Sequence, residues 1–371
     1  MKTEILRSND ELTAIAGEWN QLWESSQCTR ASSRAESLVN FNETFTPTAR
    51  PCFVVVRDGA NQMVAGLPVN IVRRPAWIRS AEFPGNEWSQ CGRILVDQGC
   101  EGTEVTTALI DAIRQIRVGN VWMDWMNLEV PQLNLLAHGA RQAGWSVQMK
   151  ERFVVGVTRL PNSWEDYEQS FSKNSRRKLR TELKAMQKLG DVQLEIHQSI
   201  AKDELHKLID AAIKIEMQSW KGADGTAMGC DPKITGFFHR WAEAANAAGL
   251  LRLFFLKLDG QRIAFDLGAV SHGVYASQKI SYLPEFARSS PGHVLNGLVN
   301  RHFIETGSAD SIDTVGPMNA ANQRWSNDSY RCGRLVMAPG SWLSNTTGRS
   351  VVTLLNAKSA MRGTGDAIES V

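Results

Sequence analysis

The chain has 371 residues, 43% of them hydrophobic and 22% charged, with a formal net charge of +2. That length exceeds the usual single domain of about 100 to 200 residues, so two units with a large buried core are expected. A charge so close to neutral leaves DNA without an electrostatic claim as partner and fits an ordinary globular protein. Cys28, Cys52, Cys91, Cys100, Cys230 and Cys332 lie far apart, with no Cys-x-x-Cys pair and no histidine at ligand spacing, so neither a zinc site nor a disulfide framework is expected. The N-terminus lacks an apolar signal core and no window reaches the length of a membrane span, which points to a cytoplasmic protein.

In chain order, residues 4–7 read as a strand. Ser8-Asn9-Asp10 has a capping composition and opens a helix with Leu12, Ile15, Ala16, Trp19, Leu22 and Trp23 on one stripe. A second helix covers 36–45. Strands 52–57 and 63–72 flank an Asp58-Gly59 turn, and 77–97 is an irregular Trp/Gly/Pro-rich segment. A helix over 104–117, a strand over 121–128, a helix over 131–143 and a strand pair over 145–158 complete a first unit that ends near Leu160.

The second unit opens with a long helix, 163–189. Phe171, Leu179, Leu183, Met186 and Leu189 form its apolar stripe, and Lys173, Arg177, Arg180, Lys184 and Lys188 line the other side. Such a stripe is either a solvated face or a surface for a polyanionic ligand, and Lys173 and Arg177 are its candidate contacts. After a strand over 192–198, a helix over 202–219 places Leu205, Leu208, Ile209, Ala212 and Glu216 on one face. A carboxylate thus stands where the stripe calls for an apolar side chain: in solvent if the stripe ends there, or buried and raised in pKa, as a general base requires. The glycine-rich loop 219–226 follows, with Trp220 and Lys221 as substrate-binding candidates, and a helix over 231–248.

Residues 250–316 organise the unit. Strands 251–258, 262–270 and 274–283 are joined by Asp259-Gly260 and His272-Gly273, an antiparallel meander. Arg288-Ser289-Ser290-Pro291-Gly292-His293 then leads into a helix to Thr306, set by Val294, Leu295, Leu298, Val299 and Phe303, and a strand over 311–315. Free amides at that helix start make an anion site. Asp266 is a lone acid in an apolar strand, either a second candidate base or a residue on the wet face. Strand, Asp-Gly, strand, irregular segment, helix and strand recur in both halves, Val64-Ala65-Gly66 standing where Ile263-Ala264-Phe265 stands later. The expected fold is α/β in two tandem copies of one unit, each a mixed, mostly antiparallel sheet flanked by helices. The expected divisions are 1–160, 161–344 and a flexible tail, 345–371. Residues 96–102 carry Asp97 and Glu101 with no basic neighbour, so the first unit is assigned to acceptor shaping or architecture and the second to donor binding and catalysis.

The succession Glu216-x-x-Ser219-Trp220-Lys221, Ile263-Ala264-Phe265, Tyr282-x-Pro284-Glu285-Phe286, Ser290-Pro291-Gly292 and Arg324-Trp325 resembles the CelD-like acetyltransferases associated with cellulose and exopolysaccharide biosynthesis. These belong to the GNAT superfamily, and their doubled architecture is similar to that of the Fem aminoacyltransferases. The resemblance implies transfer of an acyl group from acyl-CoA, without a metal, to an amine or hydroxyl of a saccharide, another small molecule or a cell-envelope precursor. It allows peripheral association with a membrane-bound polysaccharide synthesis complex. In the superfamily the loop before the helix holds the cofactor pyrophosphate with a Gln/Arg-x-x-Gly-x-Gly/Ala pattern. Here Arg288-x-x-Pro291-x-His293 stands at those positions, and Arg288, Ser289, Ser290, Gly292, His293 and Val294 are the implied cofactor-binding residues. Glu216 and Asp266 are the implied bases and Tyr282 the implied acid. Two alternatives remain: a Fem-like transferase that takes aminoacyl-tRNA, the basic stripe then touching RNA, and a non-catalytic module of a polysaccharide synthesis complex.

Overall fold

The structure, a computed structural model, describes residues 1–26, 28–74, 79–90, 92–100 and 102–339; the expected tail, 345–371, lies outside the described residues. The first half runs β1 (Lys2–Leu6), α1 (Asn9–Ala14), α2 (Ala16–Ser25), α3 (Ala35–Phe45), β2 (Arg50–Arg57), β3 (Met63–Arg73), β4 (Arg79–Glu82), β5 (Leu95–Val96), α4 (Thr103–Ile116), β6 (Asn120–Asn127), α5 (Pro131–Gln142) and β7 (Trp145–Arg159). The second runs α6 (Trp164–Ser170), α7 (Lys173–Gln187), β8 (Val192–His197), α8 (Lys202–Gln218), α9 (Trp220–Ala223), α10 (Pro232–Ala247), β9 (Leu251–Leu258), β10 (Gln261–Ser271), β11 (Val274–Tyr282), α11 (Pro291–Thr306), β12 (Ser311–Pro317), α12 (Ala320–Gln323) and β13 (Asp328–Pro339).

The strands form one sheet in the order β1-β2-β3-β4-β6-β13-β7-β12-β11-β10-β9-β8, with β5 beside β3. Read from its two edges inward, the sheet repeats itself, β1 to β6 matching β8 to β12. The centre is an exchange: β7, which ends the first half, pairs with β12 of the second, and β13, which ends the second, pairs with β6 of the first. The strand pair expected over 145–158 is instead one strand, because β13 hydrogen-bonds along it from Trp145 to Val157. Two ladders are parallel, β4 with β6 and β11 with β12, each over three registered residues; the others are antiparallel.

Local chemistry explains most elements. Ser8 caps α1, its hydroxyl accepting the Glu11 amide. Asp259-Gly260 and His272-Gly273 are left-handed at both positions (φ 48° and 83°, 48° and 72°), the twist a two-residue hairpin needs. The single helix expected over 163–189 breaks into α6 and α7 at Phe171, whose extended backbone (φ −84°, ψ 152°) puts its ring edge-on to Tyr167 and Trp325. Within the segment read as irregular, Arg79-Ser80-Ala81-Glu82 forms β4; it has no β-branched residue, and the β3 and β6 ladders make it a strand.

Helices cover both faces of the second half-sheet. Phe254 and Tyr275 meet Phe303 of α11 on one face, and Lys279, on the opposite side of β11, meets Phe238 of α10 on the other. The halves share a core: the ring of Phe45 of α3 packs tilted against that of Phe237 of α10, and Arg240 donates to Asn40 Oδ1 and Thr44 Oγ1 at 2.7 and 2.8 Å.

Candidate active site

The site is a fork. β11 and β12 run parallel from Val274 with Ser311 to Ala276 with Asp313, then part. Two irregularities part them. On β11 the register against β10 shifts between Ser277 and Lys279. On β12, Asp313 Oδ1 accepts the Val315 amide at 2.7 Å, and Val315 takes a left-handed φ of 60°, which turns the strand away. The first half enters the gap: Gln278 Nε2 donates to the Trp88 carbonyl at 2.7 Å, and Gln90 Nε2 donates to the Val315 carbonyl at 2.9 Å. Each arm of the fork is therefore tied to one segment of the first half.

On the α11 face, Ser290 (φ 53°) turns the chain into Pro291. The His293 and Val294 amides, both expected to be available to an anion, donate instead to the Ser290 carbonyl at 3.0 and 3.1 Å. That narrows the helix-start donors to the Gly292 amide, since Pro291 has none. The Tyr282 ring lies against Gly292, 3.6 Å from the position a Cβ would occupy there. Arg288 and Ser289 end the 3-10 turn Pro284–Ser289, Arg288 exposed and Ser289 half-buried. His293 is half-buried with Nδ1 lacking a partner among the described residues; burial, then Arg324, pushes its pKa down, so the ring is neutral near pH 7. α7 packs on α11 through Leu179 at Gly297, and Glu182 receives Arg324 at 3.1 and 3.3 Å. The outer face of α7 carries Lys173, Arg176, Arg177, Arg180 and Lys184 around an open groove of about 470 Å³.

On the opposite face the loop expected over 219–226 contains α9, capped by the Ser219 hydroxyl on the Lys221 amide. Glu216 is wholly buried, and both its oxygens are engaged: Oε1 accepts Lys221 Nζ at 2.9 Å and Oε2 accepts the Met228 amide at 2.8 Å. Lys221 Nζ also donates to the Ile280 carbonyl at 2.7 Å, so one ion pair ties α8, the α9 loop and β11 together. Trp220, next to it, is 63% exposed. Lys279, which the sequence reading passed over, lies with Nζ 4.2 Å from the Trp88 ring centroid and 5.2 Å from that of Phe238. Burial pushes its pKa down to about 8, with Glu216 opposing. Lys279 is the one charged residue of β11, and that was the available signal.

Asp266, 2% exposed, sits beneath the fork on the α11 face. Its Oδ1 accepts the Tyr275 hydroxyl at 2.8 Å and the Ser277 hydroxyl at 2.7 Å. Burial pushes its pKa up to about 6, against those two hydrogen bonds and the Lys221 charge. It does not lie on a wet face. The structure thus gathers Tyr282, Gly292, Ser290 and the Asp266–Ser277 pair on one side of the fork, and Glu216, Lys221, Trp220 and Lys279 on the other. Lys173 and Arg177, on α7, belong to the α11 side and not beside Trp220 and Lys221.

Comparisons with known proteins bear on the fold. No curated protein matches the chain. Among solved structures, FemX superposes with a TM-score of 0.60 at 13% identity, over 92% of this chain and 98% of that one. The C-terminal domain of a putative lysylphosphatidylglycerol synthetase from Agrobacterium fabrum gives 0.56 at 12%, over 95% and 97%. L-PGS from Bacillus licheniformis gives 0.53 at 10%, over 93% and 96%. Residues 173–325 match the family model described as the acetyltransferase (GNAT) domain. Residues 173–325 are therefore similar to a GNAT-type acetyltransferase domain, and the α/β fold around them, a mixed sheet flanked by helices, is one the chain shares with FemX.

Proposed function

We propose that the chain moves an acyl group from acyl-CoA to an amine or hydroxyl of a saccharide or cell-envelope precursor. The observation that carries this reading is the fork, which offers an amide without a partner among the described residues and a tyrosine on one face and an aromatic-lined lysine on the other, so that donor and acceptor meet from opposite sides of the sheet. The acceptor N or O attacks the thioester carbonyl carbon and the C–S bond breaks. The acceptor proton passes through the Ser277 hydroxyl to Asp266, whose raised pKa suits it to hold that proton near neutrality. Tyr282, beside the Gly292 amide, gives a proton to the departing thiolate. β11 amides that β12 no longer pairs stabilise the oxyanion. Glu216, with both oxygens occupied, serves as a positioning residue that fixes Lys221 and the Trp220 loop. Trp220 and Lys221 border the acceptor, and Arg288, Ser289 and Gly292 border the donor phosphates.

A second reading has one observation in its favour: the basic outer face of α7, next to the turn that carries Arg288, suits the phosphates of an aminoacyl-tRNA donor. Thermal-shift titration of the full chain with acetyl-CoA, a long-chain acyl-CoA and tRNA separates the two. A saturable rise in Tm with a CoA ester supports the first. A response to tRNA alone, lost in Lys173→Glu/Arg177→Glu, replaces it with the second.

A further inference from the structure

A second cavity, of about 290 Å³, lies where β6 ends and the loop after α2 meets β12 and β13; Arg30, Arg93, Asn127, Asp313 and Tyr330 are in its wall. Its charges do not balance. Arg30, 6% exposed, donates through Nη2 to Asp313 Oδ2 and to the Tyr330 hydroxyl, both at 2.7 Å, while its Nη1 is buried with no partner among the described residues. Arg93 has no carboxylate partner among the described residues; it donates to the carbonyls of Gly92 at 2.7 Å and Trp125 at 3.3 Å, and Nη2 stands 3.5 Å from Gln90 Oε1. The neighbouring acids do not neutralise the excess, since burial pushes the Cys332 thiol up to about 11 and the Tyr330 phenol higher. Two guanidinium groups and one carboxylate thus line the cavity, Arg30 buried and Arg93 half-buried, and burial together with Arg30 holds the pKa of Arg93 below its usual value. A desolvated positive charge of this kind is costly unless an anion completes it.

We propose that this cavity binds the phosphoryl group of a small phosphorylated ligand, clasped between Arg30 and Arg93. Paired guanidinium forks match the tetrahedral oxygens of a phosphoryl group better than any single cation does. The volume holds a phosphoryl group with a small appendage and is too small for a polymer to enter whole. The acyl-transfer reading is not needed for this binding. Where that reading holds, the ligand is the acceptor itself, because Asp313 joins the cavity wall to the last registered pair of the fork.

The test is calorimetric titration of the full chain with inorganic phosphate and inorganic pyrophosphate at low ionic strength, with chloride as control. Saturable binding is expected, weakened by about tenfold or more in Arg93→Gln and in Asn127→Asp, which sets a carboxylate in the wall at almost unchanged volume. Circular dichroism checks that both variants fold. Binding that neither variant weakens, or no saturable binding by the unaltered chain, overturns the proposal. Acyl transfer is not the readout, so failure here is distinct from failure of the transferase reading.

Discussion

At the scale of the residue, Asp266 shows how burial and hydrogen bonding compete. Two hydroxyls donate to its Oδ1, which favours the anion, yet complete burial prevails and raises its pKa from the ordinary 3.8 to about 6. A carboxyl whose folded pKa is raised contributes stability below its unfolded pKa and loses it as pH climbs through the folded value. The loss falls between about pH 4 and pH 6 and is on the order of 3 kcal/mol. Asp266→Asn, nearly isosteric, is expected to flatten the fall in urea midpoint over that interval. In the same variant kcat/KM is expected to drop by about a hundredfold, with loss of the acidic limb near pH 6. An unchanged pH–rate profile would remove Asp266 from the mechanism.

At the scale of the element, the Glu216–Lys221 pair acts as a clasp. It joins the end of α8 to α9, to the Met228 amide and to the β11 carbonyl of Ile280, and so fixes a loop that holds few apolar residues of its own. Glu216→Gln strands Lys221 in a mostly buried position and is expected to cost about 3 kcal/mol, read as a lower urea midpoint. The pair replacement Glu216→Leu/Lys221→Met removes both charges and is expected to cost less than the single change. A double variant as unstable as Glu216→Gln would show that packing, not the ion pair, holds the loop. Helix periodicity made the position of Glu216 legible, because a carboxylate interrupts an apolar stripe. Its partner was not legible: Lys221 lies beyond the helix end, and its second contact, Ile280, is 59 residues further on.

At the scale of the whole molecule, the exchange of β7 and β13 decides how the halves behave. Each half closes its sheet with the other's last strand, and the two exchanged strands pair with one another from Trp145 to Val157. Neither half retains a complete sheet without its neighbour, and the expected boundary near Leu160 falls at the end of a shared strand. A single cooperative transition is therefore expected in calorimetry, with the calorimetric and van't Hoff enthalpies in agreement. Two resolved transitions would show that the halves unfold independently despite the exchange.

The sequence by itself determined what depends on neighbours along the chain. The meander with its Asp-Gly turn, the helix opened by Pro291-Gly292 and the repeat of strand, turn, strand and helix were all legible, since hairpin twist, caps and periodicity act over a few residues. Tertiary structure decided what depends on partners far away: that β4 is a strand, that β7 serves the other half, and that Trp88 meets Lys279. It also decided that the Ser290 carbonyl takes the His293 and Val294 amides, and that Arg30 and Arg93 share a cavity. The physical reason is that burial sets the strength of charges and the identity of short strands, and burial is a property of the assembled sheet that no local stretch carries.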